Sequence, residues 1–316
     1  MPLSLYLLAL AVFAMGTSEF MLAGLLPEIA AGLDVSVGSA GLLTSAFAVG
    51  MIIGAPLMAL AVRRLPTRAS LLIFVSVFAA VHVIGALTAS FAMLLITRLA
   101  AALANAGFLA VALGAAVSLV TADRRARALA VLLSGTTVAT VAGVPGGALL
   151  GTLFDWRATF WVIALLCVPA AAGIARSLPS ERSRVGPAAG QPVSATSPRS
   201  ELGQLGAARL LLAMLLGALI NGATFAGYTF LAPIVTQTAG LSRSWVPGAL
   251  VLFGIGSSVG VAVAGRLADR HGDAVIITTT PLLMLGWLAM TVLAGHAAAL
   301  LILVLIQGAL SDWAAR

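Results

Sequence analysis

The chain has 316 residues, of which 61% are hydrophobic and only 9% charged, and its mean hydropathy is +1.13. A soluble domain carries about 25% charged residues, so this balance excludes an ordinary soluble fold and places the chain in a bilayer. The net charge of +7 is carried by arginine alone, without a lysine. These arginines cluster in short loops between apolar runs, which the positive-inside rule explains. No basic face or exposed aromatic platform suggests nucleic acid as a partner.

In chain order, the apolar runs predict helices over Leu3–Leu26, Ala40–Val62, Ala69–Ala89, Phe91–Val120, Arg127–Gly151 and Thr159–Leu178. After a polar interval they continue over Arg209–Thr236, Val246–Ala268, Val275–Ala294 and Ala298–Leu310. That makes an all-α membrane protein of ten spans, the last one short. The first run lacks a charged leader and is too long for a signal peptide, so it reads as an uncleaved span. It carries one carboxylate, Glu19. A charge at the centre of a membrane helix costs about 2.5–3.5 kcal/mol on insertion scales, and its default reading is functional. The alternative is a carboxylate capping backbone groups beside Gly16 or Gly24.

Arg63, Arg64 and Arg68 follow the second span, and Arg124, Arg125 and Arg127 follow the fourth. Arg176, Arg182, Arg184, Arg199 and Arg209 surround the interval after the sixth. This asymmetry predicts a cytoplasmic N-terminus. Trp156, Trp161 and Trp245 then fall at the opposite side, as an outer aromatic belt. Cys167, the one cysteine, lies in an apolar run and reads as a small buried residue, with no disulfide or CxxC metal site possible in one chain.

Residues 179–208 hold four prolines among Ser, Gly and charged residues, and read as a flexible cytoplasmic linker. It divides the chain into an N-terminal six-helix bundle, residues 1–178, and an incomplete C-terminal bundle of about four helices, residues 209–316. Gly16, Pro27, Gly50, Gly54 and Arg64 recur as Gly222, Pro233, Gly256, Gly260 and Arg270, each at an offset of 206. Glycine and proline constrain the backbone, so their common register reads as a parallel repeat.

Further polar residues sit inside the spans. Arg98 lies seven residues in from Phe91, and Glu19 seven residues in from Leu26, so both are about 10 Å below the outer surface. Equal depth predicts one shared cavity in which each lowers the other's burial cost; the alternative for Arg98 is a structural partner fixing helix register. Asn105 shares the face of Arg98, and Asn221, Phe225 and Tyr228 share a face of the seventh helix. With Met15 and Gln307 they suit a moderately apolar ligand. His82 reads as structural and His296 as solvated. No Ser/His/Asp set, metal cluster or nucleotide motif suggests an enzyme or a cofactor. Gly143, Gly147 and Gly151 share a face around Pro145, where small residues let helices approach closely.

Several stretches resemble known signatures. Gly265-Arg-Leu-Ala-Asp269-Arg270-His-Gly272 is similar to the G-x-L-A-D-R-x-G loop of the major facilitator superfamily; the copy after the second span keeps Gly54 and Arg64 but has Arg63 and Pro66 in place of Asp and Gly. Gly143-Val-Pro145-Gly-Gly147 resembles the antiporter signature of that superfamily, with Val144 inserted. Together with Gly16-Thr-Ser-Glu-Phe, Leu25-Leu-Pro27, Gly41–Gly50, Asn105–Gly114, Trp156-Arg157 and Asn221–Phe225, they look like the drug:proton antiporters, and within them the actinomycete chloramphenicol efflux proteins.

That resemblance implies a major facilitator fold of twelve helices in the cell membrane and export of chloramphenicol or similar small amphipathic drugs by alternating access, driven by protons. It implies that the first, fourth, seventh and tenth helices line the cavity, and Glu19, Arg98, Asn105, Asn221 and Gln307 fall on those four; the two buried charges, Glu19 and Arg98, are the expected proton-coupling pair. Sugar or metabolite export is the alternative within the superfamily. After Ser311 the chain turns to Asp312-Trp-Ala-Ala-Arg316, where the family helix continues apolar. The expectation is therefore a truncated product with weak or absent transport, the other alternative being a non-transporting remnant.

Overall fold

The computed structural model describes residues 1–61, 65–178 and 208–314, except for the side chains at 59, 208–210, 213–214, 261–280 and 312–314. The described residues are helical, without a strand among them. They form two compact units, Met1–Ala189 and Gly190–Arg316.

The first unit contains α1 (Leu3–Phe20), α2 (Leu22–Gly32), α3 (Val37–Ala61), α4 (Thr67–Leu87), α5 (Phe91–Ser118), α6 (Arg125–Val138), α7 (Val144–Leu153) and α8 (Trp156–Ser177). Six stretches here are long and apolar enough to cross a membrane. Leu5, Leu8, Leu25, Phe78, Phe108 and Phe160 are buried between helices, while Ile52, Leu60 and Leu165 point outward and are more than 60% exposed. Apolar side chains on both the inside and the outside are what a bundle in lipid requires, because hydrocarbon leaves no penalty on an exposed leucine.

Helix α5 is central to this unit. Ser90 caps it, its hydroxyl accepting from the Met93 amide at 3.5 Å. Against α3 the contact is close because Gly50 and Gly54 face it; a Cβ on Gly54 would come within 3.0 Å of Ala106.

Two predicted spans are not continuous. The first, expected as one helix over Leu3–Leu26, breaks at Met21. The ladder of α1 closes with the Met21 amide donating to Thr17 O at 2.9 Å, and α2 starts at Leu22, so the Ser18 carbonyl lacks its donor four residues on. The fifth, expected over Arg127–Gly151, contains a π-helical turn at Ala139–Gly143 between α6 and α7. Pro145 has no N–H to donate to the carbonyl four residues back, and the wider turn absorbs the mismatch.

The second unit contains α9 (Ala208–Thr229), a short turn at Leu231–Pro233 running into a π-helical turn at Ile234–Thr238, then α10 (Trp245–Leu293) and α11 (Ala297–Ala314). The predicted span Arg209–Thr236 bends by 48° at Phe230, just before Pro233. Thus both units have a jointed first span ahead of the prolines that the sequence repeat pairs. The two spans expected over Val246–Ala268 and Val275–Ala294 belong to one helical run of 49 residues. In a straight helix Gly256 and Gly286 would be about 45 Å apart. Yet Gly256 lies against Leu305 and Gly286 against Gln307 of α11, so the two described ends lie alongside the same turns. Gly256, Gly260 and Gly308 bring the backbones of α10 and α11 into direct contact.

Trp156 departs from the expected aromatic belt. It is 1% exposed, against 40% for Trp161 and 49% for Trp245. Gly32 makes room for its indole, Phe160 meets it edge-on at 5.5 Å, and the Arg157 guanidinium lies 4.2 Å from its ring.

Candidate functional site

The buried polar groups of the first unit converge where α1 breaks. Ser18, His82 and Arg98 are each at most 1% exposed, and Asn105 is 6% exposed. One guanidinium nitrogen of Arg98 donates to Ser18 Oγ at 2.8 Å, and the other to the Ser18 carbonyl at 2.9 Å. The second bond fills the acceptor that the break leaves open. The guanidinium also lies 4.5 Å from the centre of the Phe47 ring, a cation–π contact that offsets part of its desolvation. Its Nε is buried without a hydrogen-bond partner.

Glu19, the next residue of α1, is half-buried and accepts from the Asn105 amide at 3.4 Å. The sequence led to an expectation that Glu19 and Arg98 compensate each other directly. Arg98 does contact Ser18, the residue before Glu19, which brings the two charged residues near one another. Among the described residues, however, Arg98 forms no ion pair, and its acceptors belong to Ser18. Helix geometry explains the difference: adjacent residues point about 100° apart, so Ser18 takes both nitrogens of Arg98 while Glu19 meets Asn105, two turns further along α5.

His82, expected to be structural, is bonded into this cluster. Its Nε2 lies 2.7 Å from Ser18 Oγ, its Nδ1 lies 2.7 Å from the Phe78 carbonyl, and its ring is 4.3 Å from that of Phe78. Sequence reasoning missed Ser18 and Phe47 altogether. A serine next to an intramembrane acid and a histidine inside an apolar helix were the available signals.

Of the remaining candidates in this unit, Met15 is buried at 1%. Gly54 faces α5, as described. Gly143 lies against Thr17 and Phe13 of α1, and Gly147 against Thr159, whose hydroxyl donates to the Gly147 carbonyl at 2.8 Å. Pro145 is buried at the start of α7. Arg64 lies outside the described residues, as do the side chains at Gly265, Asp269, Arg270 and Gly272.

In the second unit, Tyr228 and Gln307 line one small hollow with Phe253, Trp287 and Met290. The Tyr228 and Phe253 rings are 4.7 Å apart. Gln307 donates to the Leu283 carbonyl at 3.3 Å, while its Oε1 and the Trp287 indole N–H are buried without partners. Asn221 and Phe225 do not join this hollow. Asn221 is exposed and donates to Gly217 O of its own helix at 3.0 Å, and Phe225 is 38% exposed. Among the described residues no group of histidine, cysteine and carboxylate side chains is placed to hold a metal.

The sequence profile of the Major Facilitator Superfamily matches residues 8–314. This chain belongs to that superfamily. It is therefore a multi-pass membrane protein of a transporter superfamily. A chloramphenicol resistance protein of Streptomyces lividans is 61% identical over 98% of this chain and 78% of that protein. The inner membrane transport protein YdhP of Escherichia coli K12 is 34% identical over the same shares. Among solved structures, a nucleoside transporter aligns with a TM-score of 0.75 at 12% identity, over 99% of this chain and 80% of that one. A D-xylose–proton symporter aligns with a TM-score of 0.73 at 16% identity, over 98% and 80%. These structural likenesses establish the superfamily fold and nothing of the substrate.

Proposed function

We propose that this superfamily member exports chloramphenicol or a similar small amphipathic drug in exchange for protons, by alternating access, in the cell membrane. The observation that carries the reading is the 61% identity to a chloramphenicol resistance protein across nearly the whole chain. The arginine asymmetry supports a cytoplasmic N-terminus. In this reading residues 1–178 and 209–316 are the two bundles and residues 179–208 their cytoplasmic linker.

The arrangement around α1 supports proton exchange. Glu19 is an acid within a membrane span that accepts a long bond from Asn105 and, among the described residues, forms no ion pair, so it can take up and release a proton without breaking one. Arg98 supplies a fixed positive charge beside it. Met15, Asn105, Asn221, Phe225, Tyr228 and Gln307 are the proposed drug contacts. Membrane lipid and protons are the other partners.

Purified full chain in proteoliposomes tests this. An imposed pH gradient is expected to drive chloramphenicol against its concentration gradient. Chloramphenicol flux that ignores the pH gradient overturns proton coupling. Flux of sugars with none of chloramphenicol overturns the substrate assignment, and absence of any flux favours a non-transporting protein.

A further inference from the structure

The contact between Ser18 and Arg98 continues into α4, and its direction can be worked out from chemistry alone. Arg98 only donates, so Ser18 Oγ accepts from it at 2.8 Å. The Phe78 carbonyl only accepts, so His82 Nδ1 carries the proton that it receives, at 2.7 Å. A neutral imidazole then presents Nε2 as an acceptor, and the Ser18 hydroxyl proton points to it across 2.7 Å. Each donor in the chain Arg98, Ser18, His82, Phe78 meets one acceptor. With the imidazole neutral, the roles of the two ends set the direction of every bond between them.

We propose that His82 is a positioning residue that, through the Ser18 hydroxyl, holds the Arg98 guanidinium on α1 and off the adjacent Glu19 carboxylate. Three helices, α1, α4 and α5, contribute one side chain each. The imidazole is itself clamped: Phe78 stacks at 4.3 Å, Phe160 lies at 5.7 Å, and the Nδ1 bond fixes its rotation. The charged groups near it are Arg98, through Ser18, and beyond that Glu19.

Removal of Nε2 takes away the acceptor of the Ser18 proton. A helical serine without a tertiary acceptor bonds to the carbonyl three or four residues back, and the oxygen that Arg98 binds turns with it. A buried guanidinium needs an acceptor, and the adjoining Glu19 offers the nearest carboxylate. A direct ion pair would then form, and each proton uptake at Glu19 would have to break it. Drug movement that requires no proton would be spared. The inference rests on the proton-exchange reading for its effect on transport, but not for the contact itself.

The test uses the full chain with His82→Phe, His82→Gln, Ser18→Ala and Arg98→Met, alone and combined. In proteoliposomes, His82→Phe is expected to lower pH-gradient-driven chloramphenicol efflux about tenfold, the weight of one buried hydrogen bond. Exchange of labelled for unlabelled drug at equal pH is expected to stay within about twofold, since it makes no use of that bond. His82→Gln, whose amide oxygen can replace Nε2, is expected to restore most of the driven flux. Equal loss of both fluxes, or no rescue by glutamine, overturns the proposal. Melting temperatures give an independent cycle: His82→Phe and Arg98→Met are expected to be non-additive with Ser18 present and additive in Ser18→Ala. Additivity in both backgrounds overturns it. If the unaltered chain shows no gradient-driven efflux, the function reading fails by itself, and the melting cycle still decides whether His82 holds Arg98.

Discussion

Replacement of Arg98 by lysine keeps the positive charge and removes the fork. In the native chain two nitrogens reach two oxygens of one residue, Ser18 Oγ at 2.8 Å and its carbonyl at 2.9 Å. An ammonium on a flexible stem is a point charge and cannot span both from one position. One charge-assisted hydrogen bond is lost, about 1.5–3 kcal/mol. The flat stacking of guanidinium on Phe47 at 4.5 Å is weakened as well, a further ~0.5–1 kcal/mol. Arg98 is 1% exposed, so solvent screening removes little of this. The expected destabilisation is about 2–4 kcal/mol. For a chain of this size that corresponds to a melting temperature lower by about 3–6 °C, read by intrinsic fluorescence of detergent-purified protein. Arg124→Lys is the control. Its ion pair with Asp123 is exposed on both sides, and exposed pairs contribute ~0–1 kcal/mol. If the two lysine variants melt together, the double contact with Ser18 does not hold this part of the bundle.

Other outcomes follow from the same geometry. Glu19→Gln is expected to abolish pH-gradient-driven efflux while leaving drug binding measurable by equilibrium dialysis; driven efflux at the native rate removes Glu19 from the coupling. Gly143→Ala puts a methyl group into Thr17 and Phe13 of α1, and overpacking of this kind costs about 1–3 kcal/mol. Adding Thr17→Ala in the same chain removes the main obstacle and is expected to recover part of the lost melting temperature, whereas equal loss in both would place the strain elsewhere. Asn221→Ala deletes an exposed side chain bonded to its own helix, so melting is expected to change by less than ~0.5 kcal/mol. A weaker affinity for chloramphenicol with unchanged melting is the expected signature of a drug contact there, and unchanged affinity argues against one.

Much of the fold could be read from hydropathy, because a bilayer demands long apolar runs and the arginines punctuate them. The isolated charges Glu19 and Arg98 were legible for the same reason: nothing else in their runs resembles them. What could not be read was how a single helix breaks. The joint at Met21 depends on Arg98, 80 residues away from Ser18 in sequence, filling a carbonyl that no local signal marks as open. Pro27 announces a disturbance nearby without placing it. Spacing put Asn221, Phe225 and Tyr228 on one helix face, but a face covers more than one environment, and only Tyr228 of the three is buried. Trp156 was read as a belt residue from its position at a helix end; the space beside Gly32 that buries it is a tertiary fact. The pairing of glutamate with arginine was inferred from depth alone, and depth does not say which way neighbouring side chains point.

The joint in α1 ties the shape of a helix to a side chain from another. A carbonyl served by its own ladder is locked; one served by a guanidinium has a substitute waiting, the amide of Leu22 four residues on. If Arg98 withdraws, the Ser18 oxygen regains a backbone partner only when the Leu22 amide closes the ladder through Met21. Withdrawal and closure thus become one event, so the hydrogen bonding of the Leu22 amide reports where that cation rests.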